Sequence, residues 1–476
     1  MKTTLVAAGT LAVLVACGGG GSSGSMSQTG AQSVATWGTI TAFGSVYVNG
    51  VRYDVSRATL KKNDTTVAQT GLAVGEVALV RGREDTQTGQ GEADSVDVED
   101  SVVGPITTIT GNQLTVLGQT ISVTANTSFG PGITPADLTG LKMNDSVEVS
   151  GLPGMGGVIM ATRIGRAASN EPLQVLGTVG TVSATTFMIN GLTVDFSNLS
   201  LSGFASGKPA TGDLVIARGT AFDPTAVKLT ATAVRLADTD RDEQAAGGLV
   251  EEEGLITVFT SATDFQVAGA KVTTTASTVF KNGTAADLAL NVRVEVRGTL
   301  DANKVLMADV VEIEHIAVIA LAATVSGVDT TMNTLTVLGV TISVDTNTRF
   351  EDESNAQVQM FSLKDVAVGN TVLVRGYEKP AGSGMVLATR LVRLPPLPSM
   401  DVGVRGPFTA STATQFKILN ITIDATSAKL YGTGGQSLTT AEFFTQAAGQ
   451  VVDVLGTASG STVTASKAII DPLEDR

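Results

Sequence analysis

The chain has 476 residues, a formal charge of −14 at pH 7, one cysteine and one histidine. That length exceeds what a single hydrophobic core can use, so several domains are required. The charge, with a pI near 4.6, opposes non-specific binding to nucleic acid or to an anionic membrane surface, and a single cysteine excludes internal disulfides.

At the N-terminus, Lys2 precedes an apolar run from Leu5 to Ala16, too short to span a bilayer as a mature helix. Residues 1–17 read as a secretory signal. Its end, Leu14-Val15-Ala16-Cys17, resembles a bacterial lipobox: a branched apolar residue, two small residues, then cysteine. The resemblance implies that Cys17 becomes a lipidated mature N-terminus, holding the protein to a membrane without a transmembrane helix. Because Gly18 rather than aspartate follows, likeness to proteobacterial lipoproteins implies sorting to the outer membrane, facing either the periplasm or the surface. Residues 18–36, rich in Gly and Ser, are expected to form a flexible tether.

Beyond the tether one short phrase recurs. Val80-Arg81-Gly82 returns as Val149-Ser150-Gly151, Ala217-Arg218-Gly219, Val296-Arg297-Gly298, Val374-Arg375-Gly376 and Val454-Leu455-Gly456. The final glycines stand 68–80 residues apart, so one small unit is copied six times. The copies run 37–103, 104–170, 171–247, 248–316, 317–397 and 398–476. Asn112 to Phe129 matches Asn333 to Phe350 at thirteen of eighteen positions, which points to duplication.

The second copy gives the strand pattern. Gln113-Leu114-Thr115-Val116 and Thr120-Ile121-Ser122-Val123 alternate polar and apolar residues around Gly118, and Ser146-Val147-Glu148-Val149 and Val158 to Ile164 complete the unit. Period-two alternation punctuated by glycine predicts half-buried antiparallel strands. In the first copy, Asn49-Gly50 marks a type I′ hairpin, and Asn190-Gly191 holds the same place in the third. Five short strands with one inward face are best satisfied by a small closed or nearly closed barrel. The phrase ending in glycine is taken to close a strand, and the joints between copies to be short polar linkers.

The order glycine-x-Ile, apolar-x-Val-x-Gly, Val-x-Val, Thr-x-Phe, Val-x-Val-x-Gly and Ala-x-x-Ile resembles a family of bacterial domains of unknown function, DUF5666. The resemblance covers nearly all of the chain after residue 36. It implies an all-β chain of six tandem, small, OB-like antiparallel barrels, and it carries over no functional residue.

Few residues point to chemistry. Arg81, Arg218, Arg297 and Arg375 share one place in the repeat. They are either a repeated cationic finger for an acidic glycan or phosphate, or outward strand residues paired with nearby carboxylates. Ser150 and Leu455 in that place favour the second reading. Asp238, Asp240 and Asp242 have the spacing that opens a calcium loop, but Glu243 stands where glycine is expected, so they read as solvated linker acids. Glu251-Glu252-Glu253 reads as a polar segment before a strand, and His315 as a surface residue. Gly20 to Gly24 matches a nucleophile elbow only by letter, and Gly207-Lys208 lacks phosphate-loop spacing. No cofactor and no metal are expected. The expected function is a non-enzymatic envelope lipoprotein, a spacer or multivalent module, with an envelope protein or a glycan as partner. An oligosaccharide-binding array is the alternative. Nucleic acid is disfavoured, because the aromatics are scattered and the charge has the wrong sign.

Overall fold

The computed structural model describes residues 31–85, 88–237, 248–315, 317–396 and 401–471. They form an all-β structure of repeated units gathered into three sheets. The first strand, Ala31–Ala42, takes in residues 31–36, which composition had assigned to the tether. Those residues pair with Val80–Asp85, so their backbone is held in a ladder despite their small side chains.

Unit 2 shows the plan. Its first strand, Val102–Thr110, pairs through one half with Gln113–Val116 and through the other with Ser146–Pro153. Gln113–Val116 pairs antiparallel with Gln119–Ser122, which runs parallel to Ile159–Arg166. Ile159–Arg166 returns antiparallel to Ser146–Pro153, so the ring of pairings closes. Units 1, 3, 4, 5 and 6 repeat this ring. The expectation of wholly antiparallel pairing therefore fails along one edge of each unit's last strand, where in five units a further short strand, such as Ser128–Phe129, also runs parallel. Five strands cannot alternate direction around a closed ring, so one neighbouring pair must run parallel. The alternating residues point inward as expected, with Ile106, Leu114, Val116, Ile121, Val147 and Ile164 all buried. Each such side chain contributes about 1.5–3 kcal/mol on burial.

The turn signal at Asn49-Gly50 is met by φ values of 49° and 73°, which fit a type I′ turn. The recurring glycine phrase, however, does not close a strand. Gly82, Gly151, Gly219, Gly298, Gly376 and Gly456 lie inside strands, each at a register shift of the ladder with the last strand. A Cβ on Gly298 would stand 2.0 Å from the Met307 carbonyl oxygen, and one on Gly376 2.1 Å from that of Leu387. The glycine is required because the bulge brings the partner backbone into the space of a side chain.

The units are not separate beads. First strands pair across units: Val34–Trp37 of unit 1 runs parallel to Leu249–Glu252 of unit 4, far away in sequence. Val102-Val103 of unit 2 pairs antiparallel with Gln174-Val175 of unit 3, and Ala320–Ala322 of unit 5 with Gly403–Arg405 of unit 6. Units 2 and 3 share one continuous apolar core, as do units 5 and 6, whereas units 1 and 4 have distinct cores, with Leu249 of unit 4 packed into that of unit 1. A unit's first strand exposes backbone edges where it leaves its own ring, and a second first strand satisfies them.

Candidate functional site

The repeated arginines lie beside the strands that join units. Arg297 stands in register with Glu251, which is in register with Thr36 of unit 1. Its Nη1 donates to Glu251 at 2.6 Å and to Glu84 of unit 1 at 2.9 Å. Both carboxylates are only 1% exposed. Thr36 Oγ1 adds a 3.1 Å bond to Glu251 and lies 2.7 Å from the buried Tyr53 hydroxyl. Burial, then the neighbouring Glu84, pushes the Glu251 carboxyl up to about 7 against the opposing pull of Arg297.

In the seam of units 2 and 3, Arg218 Nε donates to Gln174 at 2.6 Å and Nη2 to Glu99 at 3.0 Å, while Nη1 reaches Asp64 of unit 1. Arg235 joins the same group, with 2.6 Å to Glu99 and 3.2 Å to Asp64. Arg81 pairs within its own unit, with Asp97 at 3.3 Å. Arg375 lies in register with Ala320, at the seam of units 5 and 6. The two departures from arginine now have a place. Ser150 and Leu455 are the counterparts of Arg218 and Arg375 in the two antiparallel pairs, whereas the parallel pair carries arginine in both units.

Further contacts tie the pairs together. Lys62 of unit 1 reaches Glu148 of unit 2 at 2.9 Å and Glu76 of its own unit at 2.7 Å. Burial works against the charged ammonium, but Asp100, Glu76 and Glu148 outweigh it and hold its pKa above the ordinary lysine value. Asp100, Glu148 and Glu171 bring carboxylate oxygens within 4.8 Å of one another, yet Lys62 and the Asn63 amide already supply donors there. Arg349 of unit 5 donates to the Asn126 carbonyl of unit 2 at 2.6 Å, and Ser128 donates to Glu351 at 2.8 Å. Arg390 holds Glu351 at 2.6 Å from the other side.

Around these contacts lies a chamber of about 1730 Å³, walled by units 1, 2, 4, 5 and 6. Glu253, Glu295, Glu312 and Glu314 of unit 4 form one side, with Arg293 and Arg349 beside them. Burial would raise the Glu253 carboxyl, but Arg293 and the Thr39 amide hold it below the ordinary value. The half-buried Glu295 carboxyl is pushed well up by desolvation and by the neighbouring Glu251, Glu312 and Glu314. Burial drives Arg349 down to about 10. Side-chain amides of Asn49, Asn112, Asn126, Asn282, Asn347 and Asn420 also line the space.

His315 is exposed, as expected, with its ring 4.4 Å from that of Tyr377 in unit 5. Cys17 and the acids Asp238, Asp240 and Asp242 lie outside the described residues. Glu251-Glu252-Glu253 is not a segment before a strand. It is buried within the strand Leu249–Ser261 and faces unit 1. The signal that could have found it was three carboxylates at the start of a first strand, where unit 2 has Val102-Val103.

An all-β protein of repeated, edge-joined units is the class that this geometry defines. Residues 103–165, 253–312 and 323–391, in units 2, 4 and 5, match the family model described as Domain of unknown function (DUF5666). Comparison with curated proteins returns no match.

Proposed function

We propose that the chain is a non-enzymatic cell-envelope lipoprotein in which six OB-like barrels form one multivalent interaction body, anchored to the outer membrane through lipid on Cys17. The ring order of strands, with the third beside the last and the first beside the fourth, supports the OB-like reading. The observation that carries the functional reading is the pairing of charged side chains across the seams between units. Arg297, Glu251 and Glu84 hold one another, as do Arg390, Glu351 and Ser128. Such groups fix the position of one unit against the next. Catalysis needs a titratable group poised toward a substrate instead. Interlocking favours a rigid presenting body over an extended spacer.

Capture of envelope components on the tagged chain tests this reading. Recovery of a defined envelope protein, lost when the seams are broken by Arg297→Gln with Arg390→Gln, is the expected result. Turnover of a substrate by the purified chain would defeat it. An oligosaccharide ligand is the second reading, favoured by the amide-lined chamber, since side-chain amides donate to and accept from sugar hydroxyls. Glycan-array binding without protein capture would select it. Acidic linker and chamber walls disfavour nucleic acid in either case.

A further inference from the structure

Strand register lines up carboxylates on the chamber wall of unit 4. Glu253 stands opposite Glu295, and Glu295 opposite Glu312, so one row across three strands carries three acids. Like charges directly opposite one another destabilise a sheet. Two of the three are compensated. Glu253 pairs with Arg293, and Glu312 accepts from Lys281 at 3.3 Å and from Asn282 at 3.0 Å. Glu295, in the middle, has no hydrogen bond and no ion pair, and the charges that act on it most are Glu251, Glu312 and Glu314. The Glu314 carboxylate, two residues beyond Glu312, accepts no hydrogen bond either, and its main cationic neighbour, Arg293, is committed to Glu253.

The repeat shows what such a place holds elsewhere. Glu295 lies three residues before the bulge glycine, where unit 2 has Glu148 and unit 6 has Asp453. Glu148 receives the Lys62 ammonium of unit 1 at 2.9 Å, and Asp453 receives Arg405 at 2.6 Å. Among the described residues, Glu295 is the one acid in this place without a cation. Other groups in the chamber point the same way. Asn49 Oδ1, Asn126 Oδ1, Asn347 Oδ1 and Thr162 Oγ1 are buried oxygens of lining residues, and they meet no hydrogen-bond partner. Thr162 is only 5% exposed. A buried acceptor without a donor costs free energy. Seven carboxylates line the chamber against four lysine and arginine side chains. Excess acid and oxygens without donors call for a positively charged ligand that carries only donors, and an alkylammonium is such a group.

We propose that the unit 4 wall of the chamber binds a linear polyamine, with one ammonium on Glu295 and a second on Glu314. The two acids are diagonal neighbours on adjacent strands, about 7–8 Å apart, a separation that an alkyl diamine spans. Leu255 and Leu290 of the same unit line the chamber and cover the methylene chain. Among the described residues, three carboxylates gather oxygens within 4.8 Å only at Asp100, Glu148 and Glu171. The unit 4 acids therefore suit separate ammonium groups better than one metal ion. Walls from five units admit a slender chain rather than a lysine of a folded partner.

Calorimetric titration of the purified chain with spermidine, butylamine and magnesium tests the proposal, at about 0.15 M ionic strength so that exposed charges are screened. Spermidine is expected to bind one per chain. Butylamine should bind at least about tenfold more weakly, for want of the second charged hydrogen bond, and magnesium more weakly still. Glu295→Gln removes a repelled charge while keeping the side chain's shape, so it should fold, and it should weaken spermidine about tenfold. Glu314→Gln decides if that variant does not fold. Asp94→Asn, at an exposed acid of unit 1, should leave spermidine binding unchanged. Absence of spermidine binding, or binding unchanged in Glu295→Gln, overturns the site. Equal weakening by Asp94→Asn, or magnesium as tight as spermidine, overturns it in favour of general attraction to an acidic surface. Butylamine as tight as spermidine overturns the assignment of two ammonium contacts.

Discussion

Glu253 accepts a 2.6 Å hydrogen bond from the backbone N–H of Thr39, although 214 residues separate them. The same carboxylate pairs with Arg293 of its own unit, so one side chain holds a strand of unit 4 against a strand of unit 1. A buried carboxylate survives in such a place only when donors surround it. The cross-unit amide and the arginine supply them here. Sequence neighbours are thus not the partners of unit 1. Its edge is completed by a unit that follows two intervening copies.

Replacing Arg297 with Gln should destabilise the protein by about 2–4 kcal/mol, because Glu84 and Glu251 would keep their burial and lose their shared cation. Arg81→Gln removes only a partly exposed pair with Asp97 and should cost less than about 1 kcal/mol. Denaturant midpoints of the two variants check the contrast. Equal small losses would return the arginines to surface decoration.

The bulge glycines should be intolerant of any side chain. Gly298→Ala and Gly376→Ala force a methyl group against a cross-strand carbonyl and should each cost about 1–3 kcal/mol. Gly203→Ala meets nothing within 4 Å and should be nearly neutral. Thermal unfolding of the three variants is the comparison, and a harmless Gly298→Ala would remove the bulge argument.

Stability should fall as pH rises from about 5 to 8. Burial pushes Glu99, Glu148 and Glu251 up to about 7. A carboxyl whose folded pKa is raised binds its proton more tightly in the native state. Its contribution is therefore complete below the ordinary glutamate range and lost as pH climbs through about 7. Glu253 and Glu351 act oppositely: their pKa values are lowered, and their stabilisation fades only in acid, below the ordinary range. Melting temperatures measured from pH 5.5 to 8.5 should decline, and a steady rise would contradict the assignment.

The lipobox reading requires that Cys17→Ser leave the precursor uncleaved or release the protein from membranes. Membrane fractionation with a processing gel distinguishes the outcomes. Normal processing with unchanged membrane retention would rule lipidation out as the anchor.

The β class, the recurrence of one β unit and the inward faces were legible along the chain, because alternation at positions such as Leu114 and Val116 is a local property of a strand. Asn49-Gly50 declared its turn for the same reason. The seams were not legible. Glu251 looks like any solvated acid until Glu84, Thr36 and Arg297 converge on it, and those residues are scattered over more than two hundred positions. Gly298 announced a special backbone place, but only the approach of the Met307 carbonyl distinguishes a bulge from a strand end. Leu455 read as a tolerated departure, yet at the seam of units 5 and 6 it walls a cavity. Local sequence determines which residues turn inward. Which unit meets which depends on edge complementarity and buried charge, interactions that act through space and leave no period in the chain.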